Sequence, residues 1–201
     1  MLEGKADMTE RTDTKQALAV ALKKLMLTIP FEKISIRDIV ERCGVNRQTF
    51  YYHFQDKYEL MNWIGEQDAL PAFHTGQPAS FDNWVQGLER FCMLMQEKKG
   101  FYQRALKTTG QNAFPAFLQQ LIIRFSLESI YAICEDREID EEKCQFVVEF
   151  CATAFVGKLV VWAEKGMKED PRPFVRQMKG IVDGSALRSL YGISSEPKEK
   201  A

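Results

Sequence analysis

The stretch SIRDIVERCGVNRQTFYYHF, residues 35–54, decides the fold of this 201-residue chain. Ser35 suits the N-cap of a short helix, and Gly44 suits its C-terminal end. The apolar residues between them have helical spacing (Ile36, Ile39, Val40 and Cys43). A second short helix is predicted to begin near Val45 or Asn46 and to end around Tyr52. Two short helices joined by a glycine-containing turn form a helix-turn-helix, whose second helix enters the major groove of DNA.

The second helix of this pair is predicted to be two-sided. At about 100° per residue, Arg47, Gln48, Tyr51 and Tyr52 fall within an arc of roughly 140°, and Phe50 lies outside it. Arginine can bind guanine, glutamine can bind adenine, and tyrosine can contact thymine or a phosphate. The alternative is an amphipathic helical hairpin whose polar face is only solvated.

Charge supports nucleic-acid binding locally, although not for the whole molecule. The formal net charge is −1. Residues 15–57 contain eight basic and four acidic residues, so this span carries about +4 and the remainder about −5. Any attraction for DNA therefore has to come from the N-terminal quarter of the chain.

The run from Ser35 to Leu60 closely resembles the DNA-binding domain of TetR/AcrR-family transcriptional regulators. The resemblance rests on many residues at fixed spacing (Ile39, Val40, Gly44, Val45, Thr49, Tyr51, His53, Phe54, Lys57 and Leu60). The residues Val40 to Cys43 depart from the small residues that many members have before the glycine. The resemblance implies an all-α fold, with a three-helix head followed by a larger helical body that binds an effector and dimerises.

The resemblance also implies which residues contact DNA. It places Arg37, at the second helix, on a base or a phosphate; apart from the resemblance, Ser35 and the exposed amides of that helix's first turn are also placed to meet phosphates. Base edges are expected to be read by Asn46, Arg47 and Gln48. Phosphates are expected to be bound mostly by Thr49, Tyr51, Tyr52, His53 and Lys57.

The predicted organisation has four parts. Residues 1–11 and 193–201 are polar tails expected to be disordered, residues 12–58 form the helix-turn-helix domain, and residues 59–192 form the effector-binding and dimerisation domain. Asp56 is the expected N-cap of a fourth helix, which Pro71–Ser80 should break. The helices predicted beyond this break are Phe81–Glu97, Gly100–Lys107, Phe114–Cys134, Asp140–Lys165 and Pro171–Leu190.

The body is predicted to provide a pocket and a dimer interface. The uncharged stretch from Thr108 to Ile123 could line an apolar effector pocket, or could be plain helical core. The last two long helices are expected to pair with those of a second subunit as a four-helix bundle; the alternative is a monomer that buries these faces. The expected interface residues are Phe150, Ala154, Gly157, Val161, Trp162, Phe174, Met178, Ile181, Val182 and Leu190.

Segments of the body, KTTGQNAFPAF (107–117) and EFCATAFVGKLVVWAEKGMKEDP (149–171), resemble a subgroup of the family related to the dihydroxyacetone-kinase operon activator. In that subgroup the effector can be a partner protein. The effector expected here is therefore an unidentified small molecule or protein.

Other classes of function find little support. The five cysteines form no CxxC pair and only two histidines occur, so neither a zinc site nor a cofactor is expected. Cys144 and Cys151 as a redox or metal sensor are the minor alternative. No catalytic motif is found, so no enzyme is expected. Glu149, Lys158 and Glu164 interrupt the most apolar segment, which argues against a membrane span, and no secretory signal is seen.

The sequence therefore predicts a cytoplasmic, homodimeric regulator that binds double-stranded DNA at a pseudo-palindromic operator. Repression is the expected sign because it is the default of the family that the chain resembles. The alternatives are an activator controlled by a partner protein and a helical module whose head binds protein.

Overall fold

A computed structural model describes residues 3–110, 112–134 and 138–184 of the chain, with side chains from residue 13 onward. These residues form nine α-helices and one 3₁₀ turn, Phe31–Lys33. The helices are α1 (Glu3–Leu25), α2 (Ile36–Cys43), α3 (Arg47–His53), α4 (Lys57–Phe73), α5 (Phe81–Glu97), α6 (Lys99–Ala105), α7 (Phe114–Ile133), α8 (Glu141–Glu164) and α9 (Arg172–Val182).

Helices α1, α2 and α3 pack into a head around a small apolar core. Leu18 and Leu22 of α1 meet Ile39 of α2 and Phe50 of α3, and all four are fully buried. Leu60 of α4 completes this core. Because α4 spans the expected boundary at residue 58, one continuous helix joins the head to the body.

The body packs α5 and α7 against α4, and α8 against α7. The closest approach is made at Gly65 of α4, where a Cβ atom would lie 2.5 Å from Cε2 of Phe114 in α7. At a second crossing, a Cβ on Gly87 of α5 would lie 2.7 Å from Cδ1 of Phe73. At both crossings a phenylalanine ring lies directly against the glycine, in space that the side chain of any larger residue would need.

Two predicted boundaries are wrong. Residues 3–11 were expected in a disordered tail, but α1 begins at Glu3. Pro71 was expected to begin a break, but α4 runs through it to Phe73, because a proline in the last turn costs only one helical hydrogen bond. The predicted tail 193–201 and the end of the predicted last helix lie outside the described residues.

Helix α8 is the one described helix that length and composition would allow to cross a membrane. Of its most apolar stretch, 39% is buried inside the fold. It packs along α7, as core helices with similar composition do. Its composition is therefore weak evidence for a membrane span.

Candidate DNA-binding surface

A capping box sets the first turn of α2. The Ser35 backbone N–H donates to Oδ2 of Asp38 at 2.8 Å, and the Asp38 backbone N–H donates to Oγ of Ser35 at 3.2 Å. Hydrogen bonds from Ser35 lower the pKa of Asp38 below its usual value. The Ser35 hydroxyl also donates to Oδ2 of Asp38 at 2.7 Å, so its proton is directed within the helix rather than towards solvent.

The turn between α2 and α3 has the geometry that the sequence predicts. Gly44 ends α2 with a φ of +74°, in the left-handed region. Asn46 then caps α3, because its Oδ1 accepts hydrogen bonds from the backbone N–H of Thr49 at 2.8 Å and from its hydroxyl at 3.1 Å. The cap uses the amide oxygen of Asn46 and leaves its NH₂ group available as a donor.

Helix α3 divides into a buried and an exposed side. Phe50 is fully buried and Phe54 is 2% exposed, and their ring centroids lie 6.0 Å apart. Tyr51 and Tyr52 are 57% and 62% exposed. Arg47 and Gln48 are also exposed, so the predicted orientation of α3 is confirmed, while contacts of these residues with DNA stay a prediction.

Arg37 and His53 lie at the margins of this face. The Arg37 guanidinium pairs with Glu41 one turn further along α2, through Nε and Oε1 at 2.5 Å, and both side chains are well exposed. His53 is half-buried, with its ring 5.0 Å from that of Tyr52. Arg37 can exchange its exposed carboxylate partner for a phosphate at little cost.

Lys57 does not extend towards solvent as the phosphate assignment expects. Its ammonium donates to the backbone carbonyls of Phe31, Glu32 and Ile34 at 2.8, 3.1 and 2.7 Å. It also lies 4.7 Å from the centroid of the Phe31 ring. An ammonium has three N–H donors, so these contacts use its full capacity and hold the 3₁₀ turn against the start of α4.

A group of polar contacts between head and body was not predicted. Asp68 of α4 accepts from Lys98 Nζ and from the Tyr102 hydroxyl, both at 2.8 Å, and lies 3.6 Å from Nζ of Lys23. The Arg104 guanidinium of α6 donates to the carbonyls of Ile29 and Leu27 at 2.7 and 2.9 Å. The partners lie 30 to 77 positions apart in the chain, so local sequence patterns carry no signal for them.

Part of the dimer face that was expected on α8 is exposed to solvent. Phe146 and Phe150 are 69% and 65% exposed and their rings stack, and Val161 is exposed about three turns further along the same face of the helix. Trp162 was wrongly placed on this face: it is buried, and its Nε1 donates to the Glu169 carbonyl at 3.0 Å. Successive helix residues point about 100° apart, so Val161 and Trp162 cannot face the same way.

Among the described residues, no group of three or more His, Cys, Asp or Glu side chains is placed to hold a metal ion. The five cysteines are unpaired, and Cys92 is fully buried. Burial raises the pKa of the Cys92 thiol far above its usual value. A buried thiol of this kind is unreactive.

Two family models match the chain. Residues 17–63 match the model of the bacterial regulatory proteins of the tetR family, and residues 82–184 match a transcriptional regulator C-terminal region. The transcriptional activator DhaS of the dhaKLM operon of Lactococcus lactis is 31% identical over 98 residues. That alignment covers 49% of this chain and 51% of the relative, so the chain matches about half the length of this curated protein.

Solved structures show the same fold. A structure of the dihydroxyacetone kinase operon activator DhaS superposes with a TM-score of 0.63 at 22% identity, over 87% of this chain and 96% of that one. NalD of Pseudomonas aeruginosa, a secondary repressor of a multidrug efflux pump, superposes with a TM-score of 0.52 at 18% identity, over 84% and 93%. The chain belongs to the TetR family of DNA-binding transcriptional regulators and is not an enzyme.

Proposed function

We propose that this protein binds a pseudo-palindromic operator as a homodimer and places one α3 helix in each of two successive major grooves. The observation that carries the proposal is the exposed face of α3. Arg47, Gln48, Tyr51 and Tyr52 project from a helix that Phe50 anchors in the core. Groups that bind bases are thereby held on a rigid support, as selective readout requires.

The proposed contacts divide by chemistry. Arg47, Gln48 and the amide NH₂ of Asn46 read base edges. Phosphates are bound by Arg37, Thr49, Tyr51, Tyr52 and His53, and by the first-turn backbone N–H groups of α2, the helix that Ser35 caps. Lys57 contributes indirectly, because its ammonium is held by three carbonyls of the head.

Dimerisation is proposed to use the exposed side of α8, together with the end of α9. Phe146, Phe150 and Val161 are exposed on α8. A Cβ at Gly157 would meet no atom within 4 Å, so a partner helix could approach the α8 backbone closely there. Replacing Phe150 by Glu should yield a folded monomer in sedimentation; Lys158→Glu, at an exposed position off this apolar stripe, is the control and should leave the dimer intact.

The sign of regulation has two candidates. Repression follows if the dimer occupies a promoter, and it is the mode that the family resemblance implies. Activation is the second candidate, because the relative at 31% identity is named as a transcriptional activator. Transcription in vitro from the promoter of the protein's own operon, with and without the dimer, decides between these two outcomes.

The remaining proposals concern organisation. The head, residues 12–58, binds DNA, and residues 59–192 bind an effector and dimerise, with α4 continuous across the boundary. The protein acts in the cytoplasm, where it meets DNA.

Fluorescence anisotropy with a labelled duplex from upstream of its gene tests operator binding. Arg47→Ala removes one base contact in each half-site of the dimer, so binding should weaken by about 30-fold or more, corresponding to two contacts of roughly 1–3 kcal/mol each. Arg176→Ala on α9, whose exposed side chain pairs with Glu89, is the matched control and should leave affinity unchanged. A duplex that fails to bind at low salt, or binds equally well to both variants, contradicts the proposal.

A further inference from the structure

The cap of α3 determines which way round the side-chain amide of Asn46 lies. Its Oδ1 accepts from the Thr49 backbone N–H at 2.8 Å and from the Thr49 hydroxyl at 3.1 Å. A backbone N–H can only donate, so the end of the amide that faces it has to be the oxygen. The same orientation holds when the Thr49 hydroxyl turns to a phosphate, because the backbone hydrogen bond remains.

This orientation leaves Asn46 with donors alone for any partner outside the cap. Asn46 is exposed, and its NH₂ group has no acceptor within the described part of the chain. An asparagine that reads adenine accepts from N6 with its oxygen and donates to N7 with its nitrogen. Asn46 cannot form that pair, because its oxygen is held by Thr49.

Arg47, the next residue, also presents only donors. A guanidinium has five N–H groups and no acceptor. The Arg47 side chain is exposed and forms no ion pair with any residue that the structure describes. Gln48 is exposed as well and carries both a donor and an acceptor. No aspartate or glutamate occurs between Asn46 and His53, so this segment offers no carboxylate to a base.

The bases differ in what they offer to such donors in the major groove. Guanine presents two acceptors, O6 and N7, which one arginine or lysine side chain can bind together. Cytosine presents only its N4 donor, and the side chains that match it are carboxylates. A donor that meets this edge in a closed interface stays unpaired, and an unpaired buried donor is costly.

Resting on the proposed function, we propose that Asn46 and Arg47 determine specificity by requiring a base with acceptors. Each operator half-site carries guanine at the two bases that these residues read and excludes cytosine there. Gln48 is the one of the three residues that matches adenine, because it can donate and accept at once. The cap of α3 thus selects the class of operator as well as setting the end of the helix.

Asn46→Asp tests the assignment by exchanging one group. Aspartate caps a helix about as well as asparagine, so the bond from Thr49 is kept and the melting temperature should stay within a degree or so. The NH₂ donor becomes an oxygen that can only accept. Duplexes from upstream of the gene are varied at each base pair, in both half-sites together, and affinity is measured by fluorescence anisotropy.

At one base pair of each half-site, the natural protein should bind guanine about 30-fold or more tightly than cytosine, since both half-sites contribute. Asn46→Asp should prefer cytosine at that base pair. Asn46→Ser keeps a capping oxygen and lacks the NH₂ group, so its preference for guanine over cytosine should fall to near one. Arg47→Ala should lose the preference for guanine at a second base pair.

The bases are compared within one variant, so a general loss of affinity from the added charge cancels. Gln16→Glu, at an exposed position of α1, makes the same change from amide to carboxylate and is the matched control. It should keep the base preferences of the natural protein. If Asn46→Asp binds no duplex, Asn46→Ser decides: a lost preference for guanine supports the proposal, and an unaltered preference refutes it.

Three results would overturn the proposal: a natural protein that accepts cytosine as well as guanine at every base pair, unaltered preferences in Asn46→Asp, or the same inversion in Gln16→Glu. Each of these results requires a duplex that binds, so the regulator proposal survives them. Absence of duplex binding by the natural protein at low salt refutes the regulator proposal itself.

Discussion

Replacing Lys57 by Met distinguishes a structural role of this residue from a phosphate-binding role, because Met keeps the apolar stem and removes the ammonium. The substitution deletes three hydrogen bonds of 2.7–3.1 Å to backbone carbonyls of the head. A hydrogen bond that involves a charged group contributes about 1.5–3 kcal/mol net, and three that share one partly exposed ammonium contribute less than three times that. We expect a loss of about 2–3 kcal/mol in the free energy of unfolding.

For a chain of this length, each kcal/mol shifts the melting temperature by about 2–4 °C. The expected fall is therefore roughly 4–12 °C, measured by circular dichroism. Operator affinity should fall together with stability, while the slope of log affinity against log salt concentration stays unchanged. Lys33→Met, at an exposed position of the same 3₁₀ turn, is the control and should leave the melting temperature within a degree or so.

The opposite pattern would refute this reasoning. If Lys57 binds a phosphate, the salt slope of the dimer should fall by about 1.8, because each lost phosphate contact removes about 0.9. In that case the melting temperature should not change. A changed slope with unchanged stability would return Lys57 to the phosphate-binding set.

Two further predictions concern the turn and the interface between head and body. Gly44→Ala should cost about 1–2 kcal/mol in urea denaturation, because φ is +74° and the added Cβ meets no atom within 4 Å, so the cost is conformational. Burial, with Asp68 adding to it, raises the pKa of Tyr102 well above its ordinary value. The unfolded chain loses this proton near pH 10 and the folded chain keeps it, so stability should fall above about pH 10. In Tyr102→Phe, the melting temperature should fall less above about pH 10 than it does in the natural protein. If it falls equally in both, Tyr102 ionises normally in the fold.

Local signals in the sequence are sufficient for the helix-turn-helix. The helix ends are set by hydrogen bonds between residues three or four positions apart, at Ser35, Gly44, Asn46 and Asp56. Such bonds can be inferred from the order of residues alone. The two-sided character of α3 follows in the same way from the angle between successive side chains.

The features that the sequence did not reveal depend on contacts between distant residues. The carbonyl partners of Lys57 lie 23–26 positions away, and a lysine after a turn otherwise resembles a phosphate ligand. Trp162 and Phe174 fit a helical apolar pattern, but their ring centroids lie 5.9 Å apart inside the body. Periodicity identifies an apolar face without showing whether that face meets the same chain or a second subunit.

The body and the head are connected through helices α7 and α4, which are in direct contact. The Phe114 ring of α7 lies against Gly65 of α4. Since close-packed interiors deform little, we expect a displacement of α7 to be transmitted to α4. Lys57 fixes the head to the start of α4, so the head moves with that helix. In the proposed dimer, two heads would have to fit grooves about 34–36 Å apart, and this contact is the route that we propose from an effector in the body to operator affinity.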